Sequence, residues 1–358
     1  MGQRTDDEDD FEVSGPKHMR SKSRLRGWKI DIDWNNEEHR RCIAACLVKG
    51  TGVMEKDRIK CRIPGAAMLA PPWWESFGFE LTEVFKTESI VNDQFTYGAI
   101  FELKAASWSR PHGAAPKYVV AFRGTMLVHP KVLQDLMQDT LVLFNALADN
   151  RRFKRTHKRV DELISGDGGG SVWLAGHSLG ASLALEIGRN IMLKKGINVP
   201  TFLFNPPHVS PAPVINKALS EEHKTELYTG SYAVKFVLAN VVPGHRKRTK
   251  ELFEKLGPWA PELYVNPEDS ICRGYIDYFV QRQLVHETHP RFASTATRTS
   301  YRDIFFFRTL RPHLLPSARL WTNSSHRTEA HGLRQWWQPD GDLELTKMRY
   351  VYPLKAST

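Results

Sequence analysis

The chain has 358 residues, 41% of them hydrophobic and 11% aromatic, with a formal net charge of +10. That apolar content builds a substantial core, and α/β units of this length occur as single domains, so length forces no split. The positive surplus favours anionic surfaces, but no aromatic-interleaved basic motif, zinc pattern or basic heptad is present, which sets nucleic acid aside. The four cysteines, Cys42, Cys46, Cys61 and Cys272, form no C-x-x-C pair, and Cys42 and Cys46 read as buried free thiols one helical turn apart.

Residues 1–26 read as a disordered polar arm: an acidic block at Asp6–Asp10, then the basic MRSKSRLR. The opening MGQRTDDEDDFEVSG has no apolar stretch of the kind a secretory signal needs, and Asp6 stands where a myristoylation pattern wants Ser or Thr. No run of eighteen apolar residues follows, so no membrane span is expected and the expected location is cytoplasmic. Residues 27–358 read as one domain. EEHRRCIAACLVKG has helical apolar spacing and is expected to end at Gly50. AAMLAPPWWESFGF is broken by Pro71 and Pro72; Trp73 and Trp74 belong to a buried loop or to the wall of an acyl-binding pocket. YGAIFELK and KYVVAFRG read as strands. Helices are expected over VLQDLMQDTLVLFNALADN and over RRFKRTHKRVDELI, whose outer face is charged.

After GDGGG come a strand, SVWLAG, and a helix, LGASLALEIGRNIMLKKG, finishing at Gly196. PTFLFNPP, ELYVNP, DIFFFRTL and ARLWTN read as further strands, with a polar helix around INKALSEEHK. Strands alternating with helices predict an α/β fold: a mostly parallel central sheet flanked by helices, in a single domain.

LAGHSLGAS holds Ser178 in a G-x-S-x-G pattern. The five residues alone arise by chance in roughly one chain in ten of this length, so the flanks decide. A strand running into the pattern and a helix leaving it are the context of a nucleophile elbow, with Gly176 and Gly180 letting strand and helix pass closely. A serine nucleophile needs a base oriented by an acid, in chain order serine, acid, histidine. Asp269, in NPEDS after the strand ELYV, lies at the end of a parallel strand where such sheets build their sites; Glu268 is the reserve, while Asp277 sits in helix-like sequence and Asp303 precedes its strand. His331, in EAHGLRQWW, follows ARLWTN; His313 and His326 compete with it. An oxyanion takes the Leu179 backbone N–H and a donor from the turn at Gly124–Thr125. His177 is expected to pack or hydrogen-bond rather than to act on Ser178.

FRGT (122–125), LAGHSLGAS and the order Asp269, His331 resemble the class 3, fungal-type lipase-like branch of the α/β-hydrolases. SGPKHM, NEEHRRCIAACLV, APPWWE, TFLFNPPHVS, LYVNPEDSICRGYIDYF, LLPSARLW and AHGLRQWWQPD are similar to a plant subgroup of that branch, across nearly all of residues 11–352. Members of the subgroup are sometimes labelled GDSL esterase/lipase, although this sequence has no G-D-S-L block. The resemblance implies the α/β-hydrolase fold, Ser178 as nucleophile, Asp269 as orienting acid, His331 as base, and Thr125 and Leu179 as the oxyanion hole. It implies acyl-ester hydrolysis, of lipids in particular, with no metal or organic cofactor. MLVHPKVLQDLMQD, after Thr125, lacks the Asp-Trp pair of secreted lipases, so lid-type activation is not implied. RRFKRTHKR and HRKRTK read as solvated helix faces or, alternatively, as peripheral contacts with an anionic membrane. The rival expectation is a hydrolase-fold protein used for ligand binding or signalling.

Overall fold

The computed structural model describes residues 16–23, 27–30, 32–59, 61, 73–87, 95–104, 114–124, 151–166, 171–208, 221–299, 314–325 and 329–353. A 3-10 turn over Lys17–Met19 leads into an antiparallel hairpin, β1 (Arg20–Ser23) on β2 (Gly27–Ile30). Pairing therefore begins at Arg20, inside the stretch expected as an arm; residues 1–15 of that arm lie outside the described residues.

Helix α1 (Glu37–Ile59) does not stop at Gly50. A Cβ at Gly50 would lie 1.6 Å from Cζ2 of Trp73, so the glycine is a notch for an indole rather than a terminator. Glycine in a helix interior costs about 1 kcal/mol relative to alanine. Burial of the Trp73 side chain, 1% exposed, outweighs that, since a large apolar side chain contributes about 1.5–3 kcal/mol when fully buried. Of the two accounts of Trp73, a buried position is the one found: its ring meets Trp74 and Phe77 edge-on.

Among the described residues, eight strands make the main sheet. They are β3 (Phe79–Lys86), β4 (Thr96–Leu103), β5 (Tyr118–Phe122), β6 (Val172–His177), β7 (Thr201–Phe204), β8 (Glu262–Val265), β9 (Ala318–Asn323) and β10 (Leu345–Tyr350). They lie side by side in chain order. β5 through β9 pair in parallel, and β4, β3 and β10 extend the two edges antiparallel. The expected last strand, ARLWTN, is β9; β10 follows it with most side chains exposed, which hides it from a hydrophobicity pattern.

The further helices among the described residues are α2 (Arg151–Gly166), α3 (Leu179–Lys195), α4 (Glu221–Val241), α5 (His245–Leu256), α6 (Gly274–Thr288) and α7 (Pro290–Ala296). Helix α3 ends at Gly196 in the left-handed conformation, φ 68°, where only glycine is free of a Cβ penalty. The helix expected over VLQDLMQDTLVLFNALADN, the strand DIFFFRTL, most of INKALSEEHK, and His313 and His326 lie outside the described residues.

Alternation along the central strands feeds two cores, one on each face of the sheet. Val120, Val172, Leu174, Leu203, Leu263 and Val265 point to the core that α3 covers. Val119, Trp173, Ala175, Phe202, Phe204 and Tyr264 point to the one that α1 covers. A sheet buried on both faces leaves its C-terminal strand ends as the place where side chains converge on solvent. No described helix is long and apolar enough to cross a membrane.

Candidate active site

β6 delivers Ser178 into a sharp turn, and α3 starts at the next residue. Ser178 has φ 50° and ψ −124°, a region that costs a non-glycine residue roughly 1–3 kcal/mol and persists only where the surroundings enforce it. Glycines do the enforcing. A Cβ at Gly176 would lie 2.4 Å from the Gly180 carbonyl oxygen, and one at Gly180 would lie 2.5 Å from those of Phe122 and Arg123. A Cβ at Gly124 would come within 3.2 Å of Cβ of Ser178. The Ser178 N–H donates to the Phe204 carbonyl at 2.9 Å, extending the sheet ladder through the turn. Ser178 is 7% exposed.

The Leu179 N–H heads α3, among the amides that have no partner within the helix and that carry its positive dipole end. The FRG turn is anchored through Arg123, whose guanidinium donates to the carbonyls of Thr96 and Gly124. Thr125 lies outside the described residues.

Asp269 and His331 meet. The His331 Nδ1–H donates to Asp269 Oδ2 at 2.7 Å, which leaves the Nε2 lone pair free to accept a proton. Glu268, the reserve acid, is exposed and turned outward, and Asp277 lies on α6. Asp269 is 4% exposed. Burial pushes its carboxyl up, yet hydrogen bonds from His331, Cys272 and Asn205 outweigh that and hold it below the ordinary carboxylate value. His177 Nε2 donates to the His331 backbone carbonyl at 2.8 Å, and the two imidazoles lie 5.0 Å apart, centre to centre. Burial, with His331 alongside, pushes His177 down to about 3, so the ring is neutral. The Ser178 hydroxyl itself makes no hydrogen bond among the described residues.

The chain is similar to a protein of Arabidopsis thaliana named GDSL esterase/lipase, with 34% identity covering 96% of this chain and 98% of that relative. The chain belongs to the GDSL esterase/lipase family. This is a family of carboxylic ester hydrolases. No protein-family model matches the chain, and no solved structure matches it.

In this esterase/lipase a set of buried amides surrounds the acid and the histidine, and sequence reasoning did not single them out. Asn205, at φ 45° just after β7, donates from Nδ2 to Asp269 Oδ2 at 2.8 Å and to the Ala330 carbonyl at 2.9 Å. Its Oδ1 accepts from the Trp336 indole at 2.5 Å. Cys272 donates its thiol to Asp269 Oδ2 at 3.0 Å. Gln335, with no exposed surface, lies in a 3-10 turn over Leu333–Trp337. Its Oε1 accepts from Asn266 and Asn323, each at 3.0 Å. Its Nε2 donates to the carbonyls of Ala330 and Gly332, each at 2.9 Å. One amide thus joins the acid's turn, the end of β9 and both neighbours of His331. Arg41 of α1 holds that segment from behind, donating to the carbonyls of Trp336 and Gln338. The available signal is weak: Asn205, Asn266 and Asn323 each sit at a strand's C-terminal end, but only spatial proximity brings Asn266 and Asn323 to Gln335 and Asn205 to Asp269. No group of three or more His, Cys, Asp or Glu side chains suited to a metal ion occurs among the described residues.

Proposed function

We propose that this chain hydrolyses carboxylic esters, acyl lipids in particular, with Ser178 as nucleophile, His331 as base and Asp269 as the acid that orients it. The finer family reading is that of a class 3, fungal-type lipase-like α/β-hydrolase. The strand–serine–helix elbow and the lack of a G-D-S-L block support it over a mechanism carried by the family label. The observation that carries the proposal is the 2.7 Å bond from His331 to Asp269. It lies on a loop that His177, the residue before Ser178, also holds.

In this mechanism Ser178 Oγ attacks the ester carbonyl carbon while His331 Nε2 takes the hydroxyl proton. The Leu179 N–H, with a second donor at Thr125, stabilises the oxyanion; one such donor is worth about 3 kcal/mol of transition-state binding. His331 returns the proton to the leaving alkoxide, and the acyl group stays on Ser178. A water, deprotonated by His331, then attacks the acyl-enzyme; the bond from the acyl carbon to Ser178 Oγ breaks, His331 returns the proton to Oγ, and the carboxylic acid is released. Asp269 stays ionised and stabilises the imidazolium of each step. Hydroxyl and imidazole commonly close up only when substrate binds, which accommodates the unbonded Ser178 hydroxyl.

A fluorophosphonate probe tests the assignment. The folded protein is expected to be labelled at Ser178, as read by peptide mass, and Ser178→Ala to remain unlabelled. A folded wild-type protein that resists the probe and leaves p-nitrophenyl esters intact would sink the proposal.

A further inference from the structure

Helix α4 has one face turned inward and one left bare. Tyr232 and Ala239 are buried, and Tyr232 packs with Val285 of α6 and Ala293 and Ala296 of α7. On the opposite face Leu227, Val234, Val237 and Val241 are 44, 49, 58 and 70% exposed. Spacings of seven, three and four residues line them up along the helix. The other exposed positions between them, Gly230, Ala233 and Asn240, carry no charge. From 227 to 241 the helix therefore shows solvent an uncharged stripe about 21 Å long. Single exposed apolar residues are ordinary, but an aligned stripe marks an interaction face.

The stripe ends in cations. Arg246, Lys247 and Arg248, at the start of α5, are exposed. The Arg246 guanidinium donates to Asn240 Oδ1 at 2.8 Å, folding the first of them against the end of the stripe. Exposed Glu226 stands at the opposite end, and the described, fully exposed cations lie beside Val241. The other basic stretch of the sequence has no such companion. On α2, Phe153, Val160, Leu163 and Ile164 are buried, and the helix itself presents no exposed large apolar side chain beside Lys154, Arg155 and Lys158 among the described residues.

We propose that the 227–241 face of α4, together with Arg246, Lys247 and Arg248, docks the protein on an anionic phospholipid surface, with the Val241 end seated deepest. A lipid surface offers what this face complements: an apolar layer under negative headgroups. The described exposed positions of the stripe include no Trp or Tyr, the aromatic side chains that anchor many protein–protein contacts. Docking is independent of the Ser178 reading, because vesicle binding is measured without turnover.

The test is flotation of the full chain with phosphatidylcholine vesicles, with and without phosphatidylserine. Binding is expected to the anionic vesicles, to be weak on phosphatidylcholine alone, and to fall as salt rises. Val237→Asp with Val241→Asp should lower binding at least tenfold. Arg246→Glu, Lys247→Glu and Arg248→Glu together should lower it roughly a hundredfold. Lys154→Glu with Lys158→Glu on α2 should leave it unchanged. All these positions are exposed, so circular dichroism and thermal unfolding should match wild type. The proposal is overturned if the α4 variants float like wild type or if the α2 variant alone loses binding. It is equally overturned if sedimentation shows a dimer that Val237→Asp with Val241→Asp disperses while vesicle binding persists.

Discussion

The two halves of the candidate site are built from different materials. The Ser178 half is made of backbone: Gly124, Gly176 and Gly180 are there because strand, turn and helix pass too closely for a Cβ. The Asp269–His331 half is made of side chains that share protons, with Asn205, Cys272 and Gln335 around two residues from different loops. Steric demand is all-or-none, whereas a hydrogen-bond network loses function in steps. The backbone half should fail completely when disturbed and the side-chain half should fail by degrees.

The largest expected effect is in the backbone half. Gly176→Ala needs the Gly180 backbone to move, and should remove ester hydrolysis and fluorophosphonate labelling together, with near-UV circular dichroism reporting the lost packing. An active Gly176→Ala enzyme would break the comparison. Asp269→Asn should come next: the fold persists, and kcat falls about 10⁴-fold as the imidazole loses its tautomer and its counter-charge. Gln335→Met keeps the volume and removes every bond of that amide. It should lower kcat by about 10²-fold with KM little changed, the scale of a 1 Å misplacement. Equal losses for Asp269→Asn and Gln335→Met would mean that the network fails as one unit and not in steps.

The smallest effect concerns pH. His177 and His208 are partly buried, and loss of solvation pushes them down to about 3 and about 4 from 6.5, which keeps them neutral. Below about pH 6.5 the unfolded chain takes up protons at both and the folded chain does not, so stability present above that pH declines toward about pH 4. Asp269, whose folded value is lowered, adds a loss only at lower pH, as its carboxylate protonates. Urea midpoints measured from about pH 7 to about pH 5 should fall. His177→Gln, which keeps an N–H for the His331 carbonyl, should flatten the decline. An unchanged slope would show that His177 is not the neutral donor described above.

The difference between the halves also explains how much could be read in advance. The G-x-S-x-G elbow and its glycines are legible because a steric requirement is local: it fixes residue types at fixed offsets. Asp269 could be chosen by its position after a parallel strand, since topology carries that signal, whereas His331 stood beside His313 and His326 until the family resemblance favoured it. Gln335 could not, because nothing in QWWQ distinguishes a hub from a surface glutamine until Asn266 and Asn323 arrive from elsewhere. Gly50 misled for a related reason: a glycine inside helical sequence reads as an end, and the indole that requires it lies in another segment. β10 and the bare face of α4 escaped because exposed residues there follow no in–out pattern.

The bond between His177 and the His331 carbonyl joins residues 154 positions apart in the chain. It fastens the residue before Ser178 to the backbone of the loop that bears the imidazole. The backbone that bears the Ser178 hydroxyl and the backbone that bears the His331 imidazole are therefore tied directly to each other. On the proposed mechanism, an opening that keeps this bond hinges outside the two segments it joins, so substrate entry and the alignment of Ser178 with His331 become separable properties.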